Sequence, residues 1–192
     1  MRTIHLEYRN WGDYNNPSNN ERKAELPIAF WFLEEHSYSV IEVGEVTNAY
    51  TSPPKHIVYD LITEFPGTIL KNAADIDYVD QNVLSISTIE HIGFGDYGHE
   101  KVESLAFEVL KNITSKAKSW CITFPVGYNR ELEKDIANSD QIFCLIERLS
   151  NSTWKQTEHK NFDAYNYNNP YYAGNAICVL TNEPVRFVFK ND

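Results

Sequence analysis

The feature that most constrains the fold is a series of short apolar runs, separated by polar and helix-forming stretches and mostly closed by glycine or a polar residue. Buried strands of a parallel sheet have this length and this continuous apolar character. Five such runs lie in the first two thirds of the chain, at residues 40–43, 56–59, 68–70, 83–86 and 120–124. The pattern predicts an α/β fold.

Helical segments are predicted between these runs. A first helix is expected over 21–35, opened by the capping-box sequence Ser18-Asn19-Asn20-Glu21, with Pro27 either inside it or at a kink. A short charged helix is expected over 129–138. The clearest helical pattern is an apolar stripe at helical spacing, formed by Val102, Leu105, Ala106, Val109, Leu110 and Ile113.

Three more strand-like runs, at 142–146, 176–180 and 185–189, follow the last predicted helix. A turn at 181–184 indicates that the final two form a hairpin. We therefore expect one domain over 1–192, with 1–20 as an irregular lead-in. The predicted fold is Rossmann-like and three-layered (α-β-α), with a mostly parallel seven-stranded sheet and an antiparallel C-terminal edge. The gap between the second and third strands is too short for a full crossover helix, so one layer is expected to be reduced there.

Charge and cysteine content restrict the partners and the compartment. The formal net charge of −10 would repel nucleic-acid phosphates and anionic membrane surfaces, so neither nucleic acid nor a membrane is an expected partner. No apolar stretch is long enough for a signal peptide or a membrane span. The odd set of Cys121, Cys144 and Cys178 predicts buried thiols in a reducing compartment, hence a cytoplasmic protein. The sequence does not decide whether the chain forms a homo-oligomer.

Candidate ligand-binding residues lie where the predicted strands end. Parallel sheets bind ligands outside the carboxyl ends of their strands. Asp60 follows Glu42 by eighteen residues, near the spacing of about 20 between a first turn and a ribose-binding acid. Acids at successive strand ends suit the hydroxyl and amine donors of a nucleoside, although polar residues also end strands for purely structural reasons. The strand-end set comprises Glu42, Gly44, Asp60, Asp75 and residues 87–93.

The turn after Gly44 favours a cofactor without phosphate. Its sequence, EVTNAY over 45–50, contains neither a dinucleotide-binding glycine pattern nor a phosphate-binding loop. Glu45 would also repel a pyrophosphate. S-adenosylmethionine has a nucleoside and no phosphate, and it is the predicted cofactor.

Several strings resemble a family of bacterial and archaeal class I S-adenosylmethionine-dependent methyltransferases, whose members often accompany polysaccharide or other small-molecule biosynthesis. These strings are VIEVGEVTNAY at 40–50, SISTIEHIG at 85–93, TFPVGYN at 123–129, NPY at 169–171 and GNAI at 174–177. The resemblance extends roughly over 21–180. It implies cofactor contacts by Glu42 and Gly44 in the first motif, Asp60 at the ribose, Asp75 at the adenine amine, and Ser87 and Thr88 beside the sulfonium.

The resemblance also implies that Glu90 and His91 project into the acceptor space. Histidine has a suitable pKa to remove a proton from an oxygen acceptor, so His91 is the predicted base, with Glu90 orienting it or binding acceptor hydroxyls. The alternative is structural: His91 packs at a helix start and Glu90 faces solvent. A metal held by these two with Asp96 or His99 is not expected, because adjacent residues rarely converge on one ion.

Two functions stay open at this point. The first is an active methyltransferase on a small molecule, such as a sugar-containing one, favoured by Glu90, His91 and the strand-end acids. The second is a catalytically inactive methyltransferase-like binding or scaffold protein, favoured by the weak glycine turn and Glu45. Oxygen, nitrogen and carbon acceptors all remain possible. Trp154 and the aromatic segment 165–172 either line the acceptor pocket or pack as a C-terminal loop.

Overall fold

The helices and strands follow the apolar runs closely. A computed structural model describes residues 1–12, 14, 17, 19–51, 53–62, 65–151 and 153–190. Short 3₁₀ turns lie at Thr47–Ala49, Ala73–Asp75, Ile89–His91 and Phe162–Ala164. In chain order the main elements are β1 (Arg2–Glu7), α1 (Arg22–Glu35), β2 (Ile41–Val43), β3 (Ile57–Asp60), β4 (Thr68–Leu70), β5 (Asn82–Ile86), α2 (Leu105–Lys116), β6 (Ser119–Pro125), α3 (Arg130–Ala137), β7 (Phe143–Arg148), β8 (Trp154–Gln156), β9 (Ala176–Thr181) and β10 (Val185–Lys190).

Eight of the strands form one sheet in the order β4-β3-β2-β5-β6-β9-β7-β8. From β4 to β6 neighbouring strands are parallel, whereas β9 is antiparallel to both β6 and β7, and β8 is antiparallel to β7. The chain passes from β2 outward to β4 and then returns to place β5 on the other side of β2. This reversal is a topological switch point, where open α/β sheets bind ligands.

Both faces of the sheet are covered. Successive side chains of a strand point to opposite faces, and on β6 Ile122 and Phe124 belong to one buried cluster while Cys121 belongs to the other. The first cluster includes the apolar stripes of α2 and α3. The second includes α1 together with β1 and β10. An α/β Rossmann-like fold is therefore confirmed.

Two details of the predicted sheet are wrong. The sheet has eight strands among the described residues and not seven, because Trp154–Gln156 adds β8 beside β7. The expected terminal hairpin is absent, since β10 pairs in parallel with β1 in a separate two-stranded sheet. Strand β10 cannot pair with β9, because both edges of β9 are already paired, with β6 and β7. Every residue of β9 is buried, as in a central strand, whereas β10 has exposed positions along its length.

Helix α1 begins one residue after the predicted start and contains Pro27. Ser18 of the predicted capping box lies outside the described residues, and the side-chain oxygen of Asn20 instead accepts a hydrogen bond from the Arg22 amide at 3.0 Å. Within the described ranges, no helix combines the length and apolar character needed to cross a membrane. The short β3–β4 connection carries no helix in the part that the structure describes, as predicted.

Candidate functional site

A cleft of about 480 Å³ lies at the switch point, at the carboxyl ends of β2, β3 and β5. This volume falls within the range of about 300–1,000 Å³ typical of small-molecule sites. Five of the eight predicted site residues line it: Gly44, Asp60, Ser87, Thr88 and His91. The fold thus brings together residues that are up to 47 positions apart in the chain.

Gly44 packs directly against Thr88. Its backbone has a positive φ of 86°, and a Cβ built on it would lie 1.8 Å from the Thr88 hydroxyl oxygen. Glycine is therefore required both by the backbone conformation and by the close approach of another strand end. The contact with Thr88 is thus a reason for glycine at this position that is separate from the predicted cofactor contact.

Asp60 connects two of the loops that line the cleft. One carboxylate oxygen accepts from the Glu45 amide at 2.8 Å, and the other accepts from the Ile62 amide at 2.7 Å. Each carboxylate oxygen can accept more than one hydrogen bond. Asp60 can therefore hold the loop after β2 and still accept from a ligand hydroxyl.

Glu42 lies beneath the cleft and does not line it. Its carboxylate accepts from the Val46 and Thr47 amides at 3.1 and 2.8 Å, and also from the Thr47 hydroxyl. Nε2 of the buried His56 lies 2.7 Å from the same carboxylate. Glu42 and His56 therefore anchor the loop that carries Gly44. The role of His56 was not predicted, because an isolated histidine at the start of a strand gives no signal of its partner.

A buried polar network joins α1 to the strand ends. The Glu25 carboxylate is fully buried, pairs with Arg22, and accepts from the Ser87 and Thr123 hydroxyls at 2.8 Å each. Burial raises the pKa of Glu25, and the Arg22 guanidinium opposes that shift. Arg22 also lines the cleft. The only sequence signal for Glu25 is one carboxylate in the first turn of α1, directly before an apolar run.

Glu90 is fully buried within the 3₁₀ turn that follows β5. Its carboxyl makes no hydrogen bond with another residue in the described part of the chain. Burial raises the pKa of Glu90 well above its usual range, and the nearby Glu25 adds to this effect. The alternative that Glu90 faces solvent is therefore wrong, and Glu90 is also not among the residues that line the cleft. A buried carboxyl without a partner is costly to the fold and is unusual unless a ligand completes it.

His91, the next residue, lines the cleft and is held by Asp96. Nδ1 of His91 lies 2.5 Å from a carboxylate oxygen of Asp96, and the Tyr128 hydroxyl donates to that same oxygen at 2.9 Å. Nε2 of His91 lies 3.7 Å from a Glu90 oxygen. The sequence analysis assigned the orienting role to Glu90, but the contact in the structure is made by Asp96.

Asp75 is exposed and is not among the residues that line the cleft, although Asn72 and Ala73 from the same segment are.

Of the aromatic residues considered for the acceptor pocket, Trp154 is buried in the core, whereas the centroid of the Tyr167 ring lies 5.2 Å from that of the Tyr128 ring. Among the described residues, no group of three His, Cys, Asp or Glu side chains is arranged to hold a metal ion.

A larger groove of about 990 Å³ lies along β7, β8 and β10, away from the switch point. None of the predicted site residues lines it. The smaller cleft is therefore the better candidate for the functional site, since it combines the strand-end position with Asp60, His91 and Arg22.

The fold is that of a Rossmann-like α/β protein, with a cleft at its switch point. No protein-family profile matches the chain, and none of the curated proteins matches it in sequence. Among solved structures, magnesium protoporphyrin IX methyltransferase from Synechocystis PCC 6803 with bound S-adenosylmethionine is similar at a TM-score of 0.44 and 11% identity, over 83% of this chain and 79% of that chain.

Two further structures are similar. The same methyltransferase with bound S-adenosylhomocysteine has a TM-score of 0.41 at 11% identity, with 83% of each chain covered. A chain of the Pnkp1/Rnl/Hen1 RNA repair complex has a TM-score of 0.40 at 11% identity, over 81% of this chain and 40% of that chain. These likenesses are distant, so the proposal below is drawn from the strand order and the cleft.

Proposed function

We propose that the chain is an S-adenosylmethionine-dependent methyltransferase that acts on a small molecule. The observation that carries this proposal is the convergence of Gly44, Asp60, Ser87, Thr88 and His91 on one cleft at the switch point. Gly44 lies in the first sequence string that resembles the methyltransferase family, and Ser87, Thr88 and His91 lie in the second. A nucleoside cofactor at this position agrees with ligand binding in other open α/β sheets.

The chemistry of the cleft suits this cosubstrate. Asp60 would accept from the ribose hydroxyls, and Ser87 and Thr88 would lie beside the sulfonium. Glu45 and Asp60 on one wall favour a cationic sulfonium over a pyrophosphate. Glu42 would support the first motif from beneath the loop, and the adenine contact expected from Asp75 would fall to Asn72 and Ala73 on the cleft wall.

The acceptor would lie beside Glu90 and His91. Methyl transfer is an in-line displacement, in which the protein mainly holds the two substrates in attack geometry and excludes water. The Glu90 carboxyl offers a buried hydrogen-bonding group without a protein partner in the described chain. The rings of Tyr97 and Tyr128 lie 5.0 and 4.7 Å from the His91 ring, and such aromatic surfaces suit a sugar-containing acceptor.

The second candidate is a methyltransferase-like binding or scaffold protein without turnover. The specific observation that favours it is the use of both Asp60 oxygens by the amides of Glu45 and Ile62. In that case the carboxylate would serve the loops more than a ligand.

Isothermal titration calorimetry with S-adenosylmethionine and S-adenosylhomocysteine tests the proposal. We expect binding to the wild-type protein and a loss of about 10–100-fold in affinity for Asp60→Ala, since hydrogen bonds to charged groups contribute about 1.5–3 kcal/mol. Asp77→Ala is the matched control, because Asp77 is exposed, lies outside the cleft, and likewise accepts from an amide two residues ahead at 3.1 Å. If neither ligand binds the wild-type protein at millimolar concentration, the methyltransferase proposal is wrong.

A further inference from the structure

The side chain that holds His91 leads to an inference about the acceptor. We propose that Asp96 is a positioning residue that keeps His91 ready to act as a base at Nε2, and that the acceptor atom is a hydroxyl oxygen. This inference rests on the proposed function. It concerns the chemical class of the acceptor and the role of Asp96, which lies outside the strings that resemble the methyltransferase family.

The contact between Asp96 and His91 selects one tautomer of the ring. An ionised carboxylate can only accept hydrogen bonds, so Nδ1 of His91 must carry the proton at the 2.5 Å contact. Nε2 then keeps its lone pair. Burial raises the pKa of Tyr128, and its contact with Asp96 acts in the same direction, so the phenol keeps its proton and donates to Asp96. Both neighbours therefore present donors to the carboxylate.

The position of Asp96 is itself fixed by the loop. The Val102 amide donates to the Gly93 carbonyl at 2.8 Å and closes the segment that carries Asp96. Tyr97 and Tyr128 pack edge-on against the His91 ring, at 5.0 and 4.7 Å between centroids. Two aromatic contacts and the contact at Nδ1 thus restrict the orientation of the ring.

Nε2 is the ring nitrogen that does not contact Asp96, so the acceptor would have to approach His91 there. Its nearest acidic atom is a Glu90 oxygen at 3.7 Å, which leaves the two groups close but not directly bonded. A hydroxyl bound beside the two groups would donate to Nε2 and, if it also reached the buried carboxyl, would hydrogen-bond to Glu90. Glu90 is buried and has no other residue as a hydrogen-bond partner in the described chain. Such a ligand would therefore supply a hydrogen-bond partner to both Nε2 and the Glu90 carboxyl.

A base is needed for oxygen more than for nitrogen. A neutral amine attacks with its own lone pair, whereas a hydroxyl is a weak nucleophile until its proton is removed. In the transfer, the acceptor oxygen bonds to the methyl carbon and the carbon–sulfur bond breaks, with its electron pair left on sulfur as S-adenosylhomocysteine. The hydroxyl proton passes to Nε2 of His91. Asp96 stabilises the resulting imidazolium, as a carboxylate does beside the base of a hydrolase triad.

Nitrogen-15 NMR of the histidine rings tests the positioning role directly. In the wild-type protein we expect the His91 ring to be protonated at Nδ1 when neutral, with the signal assigned through His91→Gln. Asp96→Asn should redistribute the proton toward Nε2, because an amide can also donate to Nδ1. Tyr128→Phe is the matched control: it removes the other hydrogen bond to Asp96 and should preserve the tautomer. A neutral wild-type ring protonated at Nε2, or a tautomer unchanged in Asp96→Asn, overturns the inference.

The same samples separate this inference from the proposed function. Addition of S-adenosylhomocysteine reports on cofactor binding through shifts of residues around the cleft, whichever tautomer is found. For the acceptor, formation of S-adenosylhomocysteine is measured with neutral sugars and with their amino-sugar counterparts as paired probes. We expect turnover of hydroxyl acceptors, lowered within the roughly 10²–10⁴-fold range of general-base catalysis in Asp96→Asn, with KM for S-adenosylmethionine unchanged. Turnover of the amines alone, or of neither class, contradicts a hydroxyl acceptor.

Discussion

Nε2 of His56 lies 2.7 Å from a carboxylate oxygen of Glu42, and both side chains are buried beneath the loop that follows β2. Glu42 lies in β2, and His56 lies directly before β3. The two side chains meet because β2 and β3 are paired, parallel neighbours. Glu42 also accepts from two amides of the loop. This acid at a strand end supports the loop beneath the cleft and does not line the cleft surface.

We therefore expect His56→Ala to lower stability and to weaken cosubstrate binding indirectly. Loss of one partner from a buried hydrogen-bonded pair costs about 1–3 kcal/mol. Urea unfolding measures the stability, and calorimetry with S-adenosylhomocysteine measures the affinity. Glu42→Gln should have a smaller effect on stability, because the amide oxygen can still accept from the loop amides. Unchanged stability in both variants would show that the pair does not anchor the loop.

Gly44→Ala should be strongly destabilising for two separable reasons. The backbone φ of 86° is unfavourable for alanine, and the new Cβ would lie 1.8–2.5 Å from three side-chain atoms of Thr88. We expect a loss of more than about 1–3 kcal/mol, the typical cost of backbone strain alone.

The second variant Thr88→Gly removes all three clashing atoms and tests the steric part. Gly44→Ala/Thr88→Gly should be less destabilised than the sum of the single variants, with a coupling of about 0.5–3 kcal/mol in a double-mutant cycle. Strict additivity in urea unfolding would mean that Thr88 is not the obstacle.

The sequence predicts most of this fold because apolar continuity marks the central strands. Residues 40–43, 83–86 and 120–124 read as buried strands, and each lies in the centre of the sheet. Strands β1 and β8 were not predicted, because β1 has only two buried apolar positions and β8 has a single apolar residue, so neither forms a continuous apolar run. The false hairpin arose from a valid turn signal, since sequence proximity does not show that β10 pairs with the distant β1.

The candidate site was predictable where it follows strand ends and not where it depends on tertiary contacts. Gly44, Asp60 and Thr88 line the cleft because parallel strands bring their carboxyl ends together. Asp75 lies farther along the segment after β4 than Asn72 and Ala73, and it does not line the cleft. The link from Asp96 to His91 depends on how the loop over 93–102 folds back, and nothing in the spacing of these two residues distinguishes it from a solvated turn.

The buried ion pair of Glu25 with Arg22 predicts that removal of one partner costs more stability than replacement of both by apolar residues. Glu25→Leu would leave the Arg22 guanidinium partly buried without its carboxylate and would remove the acceptor for the Ser87 and Thr123 hydroxyls. We expect a loss of about 3–5 kcal/mol, as for other broken buried pairs.

The double variant Arg22→Met/Glu25→Leu should recover part of this loss, because the Arg22 charge is then removed together with its carboxylate partner. Thermal and urea unfolding of the single and double variants measure the recovery. A double variant that is as unstable as Glu25→Leu alone would show that the lost hydroxyl contacts, and not the unpaired guanidinium, cause the damage.

The pH dependence of stability should reveal the protonated state of Glu90. Burial raises its pKa in the folded protein, whereas the unfolded chain has the ordinary glutamate pKa of about 4.3. Below that value both states are protonated. As pH rises above it, the unfolded state releases its proton first, so the contribution of Glu90 to stability is lost progressively toward the folded-state pKa.

Glu90→Gln cannot release a proton and should lack this loss. The difference in unfolding free energy between Glu90→Gln and the wild type should therefore shift in favour of the variant as pH rises from about 4.5, by at most about 1.4 kcal/mol per pH unit. Other buried acids, such as Glu25 and Glu133, are present in both proteins and cancel in the difference. Glu108→Gln, at an exposed position on α2, is the control and should run parallel to the wild type. If Glu90→Gln also runs parallel to the wild type between pH 4.5 and 8, Glu90 does not hold a proton in the folded protein and cannot donate one to an acceptor.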